Sequence, residues 1–153
     1  MPDIFISYSI KDEEIAKEIK ALANAHGADV FLSGEDLSVG TEWSPQIKEA
    51  HNKADWVFFI ATKNALKSMN VMQEVGGAFF SSKKLVPIFV DVTPEEVSPW
   101  ISSHQGVLLQ DLNMSAITPI ISEIAEKIKA DKRIGVLALI LIFGAVVWAI
   151  NSK

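Results

Sequence analysis

Cysteine is absent from this chain of 153 residues, and its absence excludes several kinds of chemistry. Without thiols there is no disulfide bond, no thiolate ligand for zinc and no cysteine nucleophile, which fits a reducing compartment. The three histidines, His26, His51 and His104, lie far apart and lack the spacing of metal ligands. We therefore expect no metal site, and we interpret the histidines as surface or helix-end residues.

Basic residues are also scarce. Lysine and arginine number 14 against 19 acidic residues, which gives a net charge of −5 at pH 7. Because nucleic-acid binding needs a basic face, nucleic acid is not the expected partner. The N-terminus has no basic residue before its short apolar run at 4–6, so it does not have the pattern of a signal peptide. The length suits one domain with a sizeable core.

Short apolar runs alternate with segments of helical periodicity over the first 130 residues. The predicted strands cover 4–6, 29–32, 55–61, 84–90 and 106–109. The predicted helices begin near residues 9, 44, 68 and 115, and Pro87 in the fourth strand suggests an irregular or edge position. Near-continuous apolar strands that alternate with helices indicate a parallel sheet covered on both faces. The predicted fold is therefore α/β, with a flavodoxin-like sheet of five parallel strands.

One carboxylate lies inside an otherwise apolar helix, in the segment 68–80 (SMNVMQEVGGAFF). The apolar residues of this segment recur at steps of three and four, and Glu74 is their neighbour on the helix. Its charge is expected to be partly desolvated, which makes it a candidate for chemistry on a developing positive charge. From this segment alone, a solvated helix residue beside a core stripe is the better explanation of Glu74.

Candidate ligand contacts gather at one edge of the predicted sheet. Ligands of open α/β sheets bind outside the carboxyl ends of the strands. Tyr8 and Ser9 follow the first strand, and the loop 33–42 follows the second. Glu74 is one to two turns into its helix, which starts near the same edge. A cleft at this edge would therefore be within reach of its carboxylate.

Three segments resemble, in order, the boxes of the Toll/interleukin receptor (TIR) domain family. They are 3–9 (DIFISYS), 37–43 (LSVGTEW) and 68–74 (SMNVMQE), and the resemblance covers roughly residues 1–130. The third segment matches the pattern that ends in the catalytic glutamate of TIR enzymes. The chain departs from the family in Ser33, where many relatives have an acid, and in Asn70 and Val71, which replace the usual Trp and Cys.

The resemblance implies cleavage of NAD+ at the bond between nicotinamide and ribose. It implies that Glu74 is the catalytic residue and that NAD+ is a substrate rather than a cofactor. The substrate-binding residues predicted with it are Tyr8, Ser9, Asp36, Trp43, Ser68 and Asn70. Packing explains Tyr8, Ser9 and Trp43 equally well, and the loop around Asp36 is also suited to a subunit contact or a lid.

The C-terminal segment 134–150 is apolar throughout. Seventeen helical residues extend about 25 Å, slightly less than a hydrocarbon core of roughly 30 Å. Lys132 and Arg133 precede the segment and Trp148 lies near its other end, as expected at membrane interfaces. We therefore predict a TIR-like domain at 1–130 and a single-pass membrane anchor at 131–153. Because basic residues precede the span, the domain is expected in the cytoplasm, at a bacterial inner membrane.

These features predict a membrane-anchored NAD+ hydrolase or cyclase that is activated by clustering, with a role in bacterial anti-phage defence or stress signalling. Anchoring raises the effective concentration of the domains, so modest TIR–TIR contacts would suffice for self-association. Two alternatives stay open. One is a non-catalytic adaptor that acts through homotypic contacts, and the other is an enzyme similar to nucleoside deoxyribosyltransferases.

Overall fold

The structure, a computed structural model, describes residues 2–34 and 44–151, apart from the side chains at 110 and 140–151. The strands are β1 (Ile4–Ser7), β2 (Val30–Leu32), β3 (Trp56–Ala61), β4 (Lys84–Phe89) and β5 (Val107–Leu108). The helices are α1 (Glu13–Ala25), α2 (Pro45–Lys53), α3 (Lys63–Leu66), α4 (Met69–Phe80), α5 (Pro99–Ser102) and α6 (Thr118–Asn151). Single 3-10 turns occupy Ile10–Asp12, Pro94–Glu96, Gln110–Leu112 and Met114–Ala116.

The five strands form one parallel sheet in the order β2-β1-β3-β4-β5. This confirms the predicted α/β sheet, and the order is that of flavodoxin-like folds. The chain moves outward from β1 to β2 and then crosses back to β3 on the other side of β1. The order therefore reverses at β1, and ligands of such sheets bind beside the carboxyl end of the strands at this point.

The sheet separates two apolar cores. One core lies between the sheet and helices α1 and α6, and it includes Ile4, Ile6 and the isoleucine stripe of α6. The second core lies between the sheet and helices α2, α4 and α5, and it includes Phe5 and Phe59. Because side chains alternate across a strand, Phe5 and the next odd-numbered residue, Ser7, face the second core.

Pro87 corrects the prediction of an edge strand, because β4 is an inner strand of the sheet, although no residue of β5 pairs with Pro87 itself. Pro87 pairs with Phe59 in β4, which lies inside the sheet between β3 and β5. Lys84 and Val90 donate their backbone N–H groups toward β3, so alternation directs the nitrogen of residue 87 toward β5. Since β5 begins only at Val107, opposite Ile88, the missing N–H of Pro87 removes no ladder hydrogen bond.

Helix α6 runs from Thr118 to Asn151 and passes through the predicted domain boundary at 130/131 without a break. Ile117, just before the helix, and Ile121, Ile124 and Ile128 within it are buried, whereas residues 131–139 are all exposed. Of the predicted membrane span at 134–150, the side chains of 140–150 lie outside the described residues. Among the described residues, no helix combines the length and the apolar character needed to cross a membrane.

Candidate active site

Glu74 lies in the second turn of helix α4. The helix begins after Ser68, whose Oγ accepts a hydrogen bond from the backbone N–H of Val71 at 3.4 Å. Val71, Val75 and Ala78 bury one face of the helix against the second core. The side chain of Glu74 is only 5% exposed, so its desolvation is more complete than the sequence predicted.

Two serine hydroxyls hold the carboxylate of Glu74. Ser7, the last residue of β1, donates from its Oγ to Glu74 Oε2. Ser33, the first residue after β2, also makes a side-chain hydrogen bond to this carboxylate. A backbone bond of 3.0 Å from Ser33 N to Ile6 O keeps the two strand ends together. The carboxylate therefore lies at the carboxyl ends of β1 and β2, where the strand order reverses.

The environment of Glu74 makes its carboxyl a weaker acid than an exposed glutamate. Burial raises the pKa of its carboxyl to about 7, although the hydrogen bonds from Ser7 and Ser33 oppose the shift. A carboxyl with this pKa is partly ionised at neutral pH, and its charge is held in place by fixed donors. Such a group can stabilise positive charge that develops on a neighbouring molecule, or exchange a proton with it.

Tyr8 is buried and electrostatically coupled to Glu74. Its side chain is 4% exposed, and burial raises the pKa of the phenol, with further contributions from the charges of Glu13 and Glu74. Gly34 lies directly against it, since a Cβ at Gly34 would be 2.1 Å from Tyr8 Oη. Only glycine fits at position 34 while Tyr8 keeps this place. The ring thus ties the end of β1 to the segment after β2.

The other predicted site residues divide into three groups. Ser9 Oγ accepts from Lys11 N at 3.4 Å and caps the 3-10 turn, and Ser68 caps α4, so both have a structural role. Asn70 is half-buried, four residues before Glu74 and on the same side of α4. Asp36 and Trp43 lie outside the described residues. Of the predicted set, Tyr8 lies near enough to Glu74 for the Glu74 charge to help raise the pKa of its phenol.

His51 corrects in part the prediction that each histidine lies at the surface or at a helix end, because it is in the last turn of α2 but is buried. It is 4% exposed, within α2, and its Nε2 is 3.0 Å from the backbone oxygen of Glu74. His26 and His104 are half-buried near the ends of α1 and α5, with ring nitrogens on helix carbonyls. The spacing of the three histidines bears only on metal binding, so it does not predict the contact of His51 with Glu74. Its position four residues after Ile47, on the apolar side of α2, was the available signal.

Ser7 and Ser33 were likewise missed as contacts of the carboxylate. Strand alternation could have identified Ser7, because it shares a sheet face with Phe5 and hence faces the helices of the second core. Ser33 was noted only for lacking the acid of many relatives. No sequence signal connects Ser33 to Glu74, which is 41 positions away. Only the pairing of β1 with β2 brings them together.

A small cavity lies at the opposite edge of the sheet and is unrelated to Glu74. It encloses about 210 Å³ and is lined by Asp3, Asp55, Trp56, Ile128, Asp131 and Lys132. Two of these carboxylates, Asp3 and Asp131, pair with Lys132 and Lys84. Over residues 2–34 and 44–151, no cluster of three His, Cys, Asp or Glu side chains is arranged to hold a metal ion.

Comparison with known proteins identifies the fold. The family model described as "TIR domain" matches residues 4–118. A metazoan TIR-STING receptor from C. gigas, solved in complex with 2′,3′-cGAMP, aligns with a TM-score of 0.63 and 18% identity over 82% of this chain. This chain spans 39% of that receptor. The TIR domain of the Toll-related receptor TRR-2 from Hydra magnipapillata aligns with a TM-score of 0.58 and 15% identity, covering 87% of this chain and 99% of that one. No curated protein sequence matches.

Proposed function

This chain belongs to the TIR domain family, and we propose that it cleaves the bond between nicotinamide and ribose in NAD+, with Glu74 as the catalytic residue. The observation that carries the proposal is the Glu74 carboxylate, which is buried, held by Ser7 and located where the strand order reverses. Its agreement with the catalytic-glutamate pattern of the TIR resemblance supports the same assignment.

The chemistry needs one carboxylate. As the C1′–N bond breaks, its electron pair moves to the pyridinium ring, and nicotinamide leaves as a neutral molecule without a general acid. Positive charge develops on the ribose, and an ionised Glu74 beside it lowers the energy of this oxocarbenium-like state. Water then adds to C1′ and loses a proton, which gives ADP-ribose. Attack by a nucleophile within the same molecule would give a cyclic product.

The expected pH dependence follows from the pKa of Glu74. The ionised form stabilises the developing positive charge, and burial places the pKa of the carboxyl at about 7. We therefore expect kcat to rise as pH increases through about 7 and to level off above it. A protonated glutamate would serve only as a donor, which this reaction does not require.

We further propose that 134–150 anchors the domain as a single-pass segment, with the domain in the cytoplasm of a bacterium. The apolar composition of the segment and the preceding Lys132 and Arg133 support this. Clustering in the membrane would raise the effective concentration of the domains and favour self-association. A loop of one subunit would then complete the site of another, and the loop 33–42, which contains Asp36, suits this role. Phage defence or stress signalling is the biological role that fits a membrane-anchored enzyme activated by clustering.

The decisive experiment measures nicotinamide release from NAD+ by the full chain in lipid vesicles at high surface density. Glu74→Gln is expected to reduce the rate at least about 100-fold, because it removes the charge and keeps the shape. The matched control is Asp12→Asn, which changes the other buried carboxylate of residues 2–34 and 44–151 and should keep activity within about threefold. Equal activity of Glu74→Gln and the wild type would refute the assignment of the site.

A non-catalytic adaptor is the second candidate, and the burial of Glu74 favours it. A carboxylate that is 5% exposed must become accessible before a substrate can reach it. An adaptor would show no nicotinamide release at any surface density but would self-associate through the loop 33–42. Base exchange on deoxynucleosides would instead identify an enzyme similar to nucleoside deoxyribosyltransferases.

A further inference from the structure

His51 contacts the backbone of the residue whose side chain we assign to catalysis. The ring lies inside the second core, 4% exposed, and its Nε2 is 3.0 Å from the carbonyl oxygen of Glu74. A carbonyl oxygen only accepts, so Nε2 carries the hydrogen of this bond. Burial lowers the pKa of His51, aided by the charge of Lys83 and opposed by the bond to Glu74 O. The ring is therefore neutral at pH 7, with the proton on Nε2.

Two further contacts fix the ring. Phe5 of β1 meets it edge to face, with ring centroids 5.1 Å apart and an interplanar angle of 84°. A Cβ at Gly77 would be 3.4 Å from His51 Cε1, which is van der Waals contact, so the ring also packs against α4. His51 therefore contacts both β1 and α4, and its hydrogen bond joins α2 to the backbone of Glu74.

Glu74 is consequently held at both ends. Its carboxylate is bonded to Ser7 at the end of β1, and its carbonyl is bonded to His51, which packs on Phe5 of the same strand. The first bond orients the carboxylate, and the second fixes the rotation and height of α4 over the sheet. A displacement of about 1 Å in a catalytic group can cost a factor of about 100 in rate.

We propose that His51 is a positioning residue, which sets the place of the Glu74 carboxylate through the hydrogen bond to the Glu74 backbone. The expected change in kcat rests on the proposed function, whereas the expected placement of the carboxylate by His51 does not. A histidine that merely fills the core would be replaceable by leucine of similar size. A positioning histidine requires a donor that reaches the Glu74 oxygen.

The first measurement is the titration of the Glu74 side-chain carboxyl by 13C NMR in the full chain, with the signal assigned by its loss in Glu74→Gln. The wild type should titrate near 7. In His51→Leu, freedom of α4 to shift should let water reach the carboxylate, and the midpoint should fall by at least about half a unit. His51→Gln, whose amide can reach the place of Nε2, should keep the wild-type midpoint.

A control variant, His104→Leu, and a replacement variant, His51→Asn, complete the titration experiment. His104→Leu removes a similar bond, from His104 Nδ1 to Trp100 O at 3.0 Å, far from Glu74, and should leave the midpoint unchanged. If His51→Leu does not fold, His51→Asn replaces it, because the shorter amide matches Nδ1 and not Nε2. An unchanged Glu74 midpoint in the folded Leu or Asn variant would overturn the proposal.

The second measurement is nicotinamide release. His51→Leu should lower kcat about tenfold or more while KM changes less than about twofold, because the substrate contacts remain and only the carboxylate is displaced. His51→Gln should recover most of the lost kcat. If the wild type releases no nicotinamide, the proposed function fails, and the NMR titration still decides the role of His51. If the wild type is active but the variants are equal to it, only the positioning role fails.

Discussion

Two buried carboxylates, Asp12 and Glu74, have different surroundings. Asp12 is 9% exposed and precedes α1, where the helix dipole favours a negative charge. It accepts from Thr62 Oγ1 at 2.5 Å and from Asn64 Nδ2 at 3.2 Å. Glu74 is 5% exposed in the second turn of α4, with hydroxyl partners, and burial raises its pKa to about 7. Glu74 thus differs from Asp12 in its hydrogen-bond partners and in its place on the helix, and burial alone does not mark a functional carboxylate.

Asp12 joins three parts of the fold. It links the start of α1 to Thr62, whose Oγ1 also accepts from the N–H of Ala65 and so caps α3. Asn64 in α3 completes the group. These bonds tie the segment after β1 to the segment after β3. Asp12 is thus explained by structure, and the comparison with Glu74 can be tested by the free energy of unfolding.

The largest expected change in the free energy of unfolding is that caused by Glu74→Gln. The folded protein binds the Glu74 proton more tightly than the unfolded chain, because the pKa rises from 4.5 to about 7. The free energy of unfolding should therefore fall as pH rises from about 4.5 to 7, and Gln should remove this loss. Above pH 7 the variant should be more stable than the wild type by up to about 3 kcal/mol, and below pH 4.5 by little or nothing. Urea unfolding at pH 5 and pH 8 measures this, and a pH-independent difference would contradict it.

A smaller effect of opposite sign is expected for Asp12→Ala. It leaves Thr62 and Asn64 without their acceptor, and Thr62 is only 2% exposed. The free energy of unfolding should fall by about 2 kcal/mol at pH 7. Glu14→Ala is the matched control, since this exposed acid in the first turn of α1 should change stability by less than about 0.5 kcal/mol. Equal losses in the two variants would mean that the buried network contributes nothing.

The smallest expected effect is a shift in the pKa of Glu74 when its hydrogen-bond donor Ser7 is replaced. Ser7→Ala removes a hydroxyl that lowers the pKa of Glu74. The carboxyl should then titrate above its wild-type value of about 7, by roughly half a unit to one unit. Ser9→Ala, which removes only the cap of a 3-10 turn, should leave that titration in place. A 13C titration in which both variants agree would show that Ser7 does not hold the carboxylate.

Most of the fold was predictable because it depends on local patterns. Apolar strands such as Val57–Ile60 and the isoleucine stripe of α6 identify their elements without tertiary information. Pro87 was misjudged because its missing N–H matters only if a partner strand is opposite, and the start of β5 decides that. Of the candidate site, sequence patterns identified Glu74 as an acid in an apolar helix and Tyr8 at the end of a strand, and their roles in catalysis and substrate binding stay predictions.

Sequence alone determined the alternation of strands and helices, the isolation of one carboxylate in an apolar helix, and the apolar segment at 134–150. Tertiary structure decided which groups meet that carboxylate. Ser7, Ser33 and the His51 ring come from β1, the segment after β2, and α2, and the parallel pairing of the strands brings them to Glu74. Such contacts depend on strand order and helix packing, which join residues 23 to 67 positions apart, and no local pattern records them.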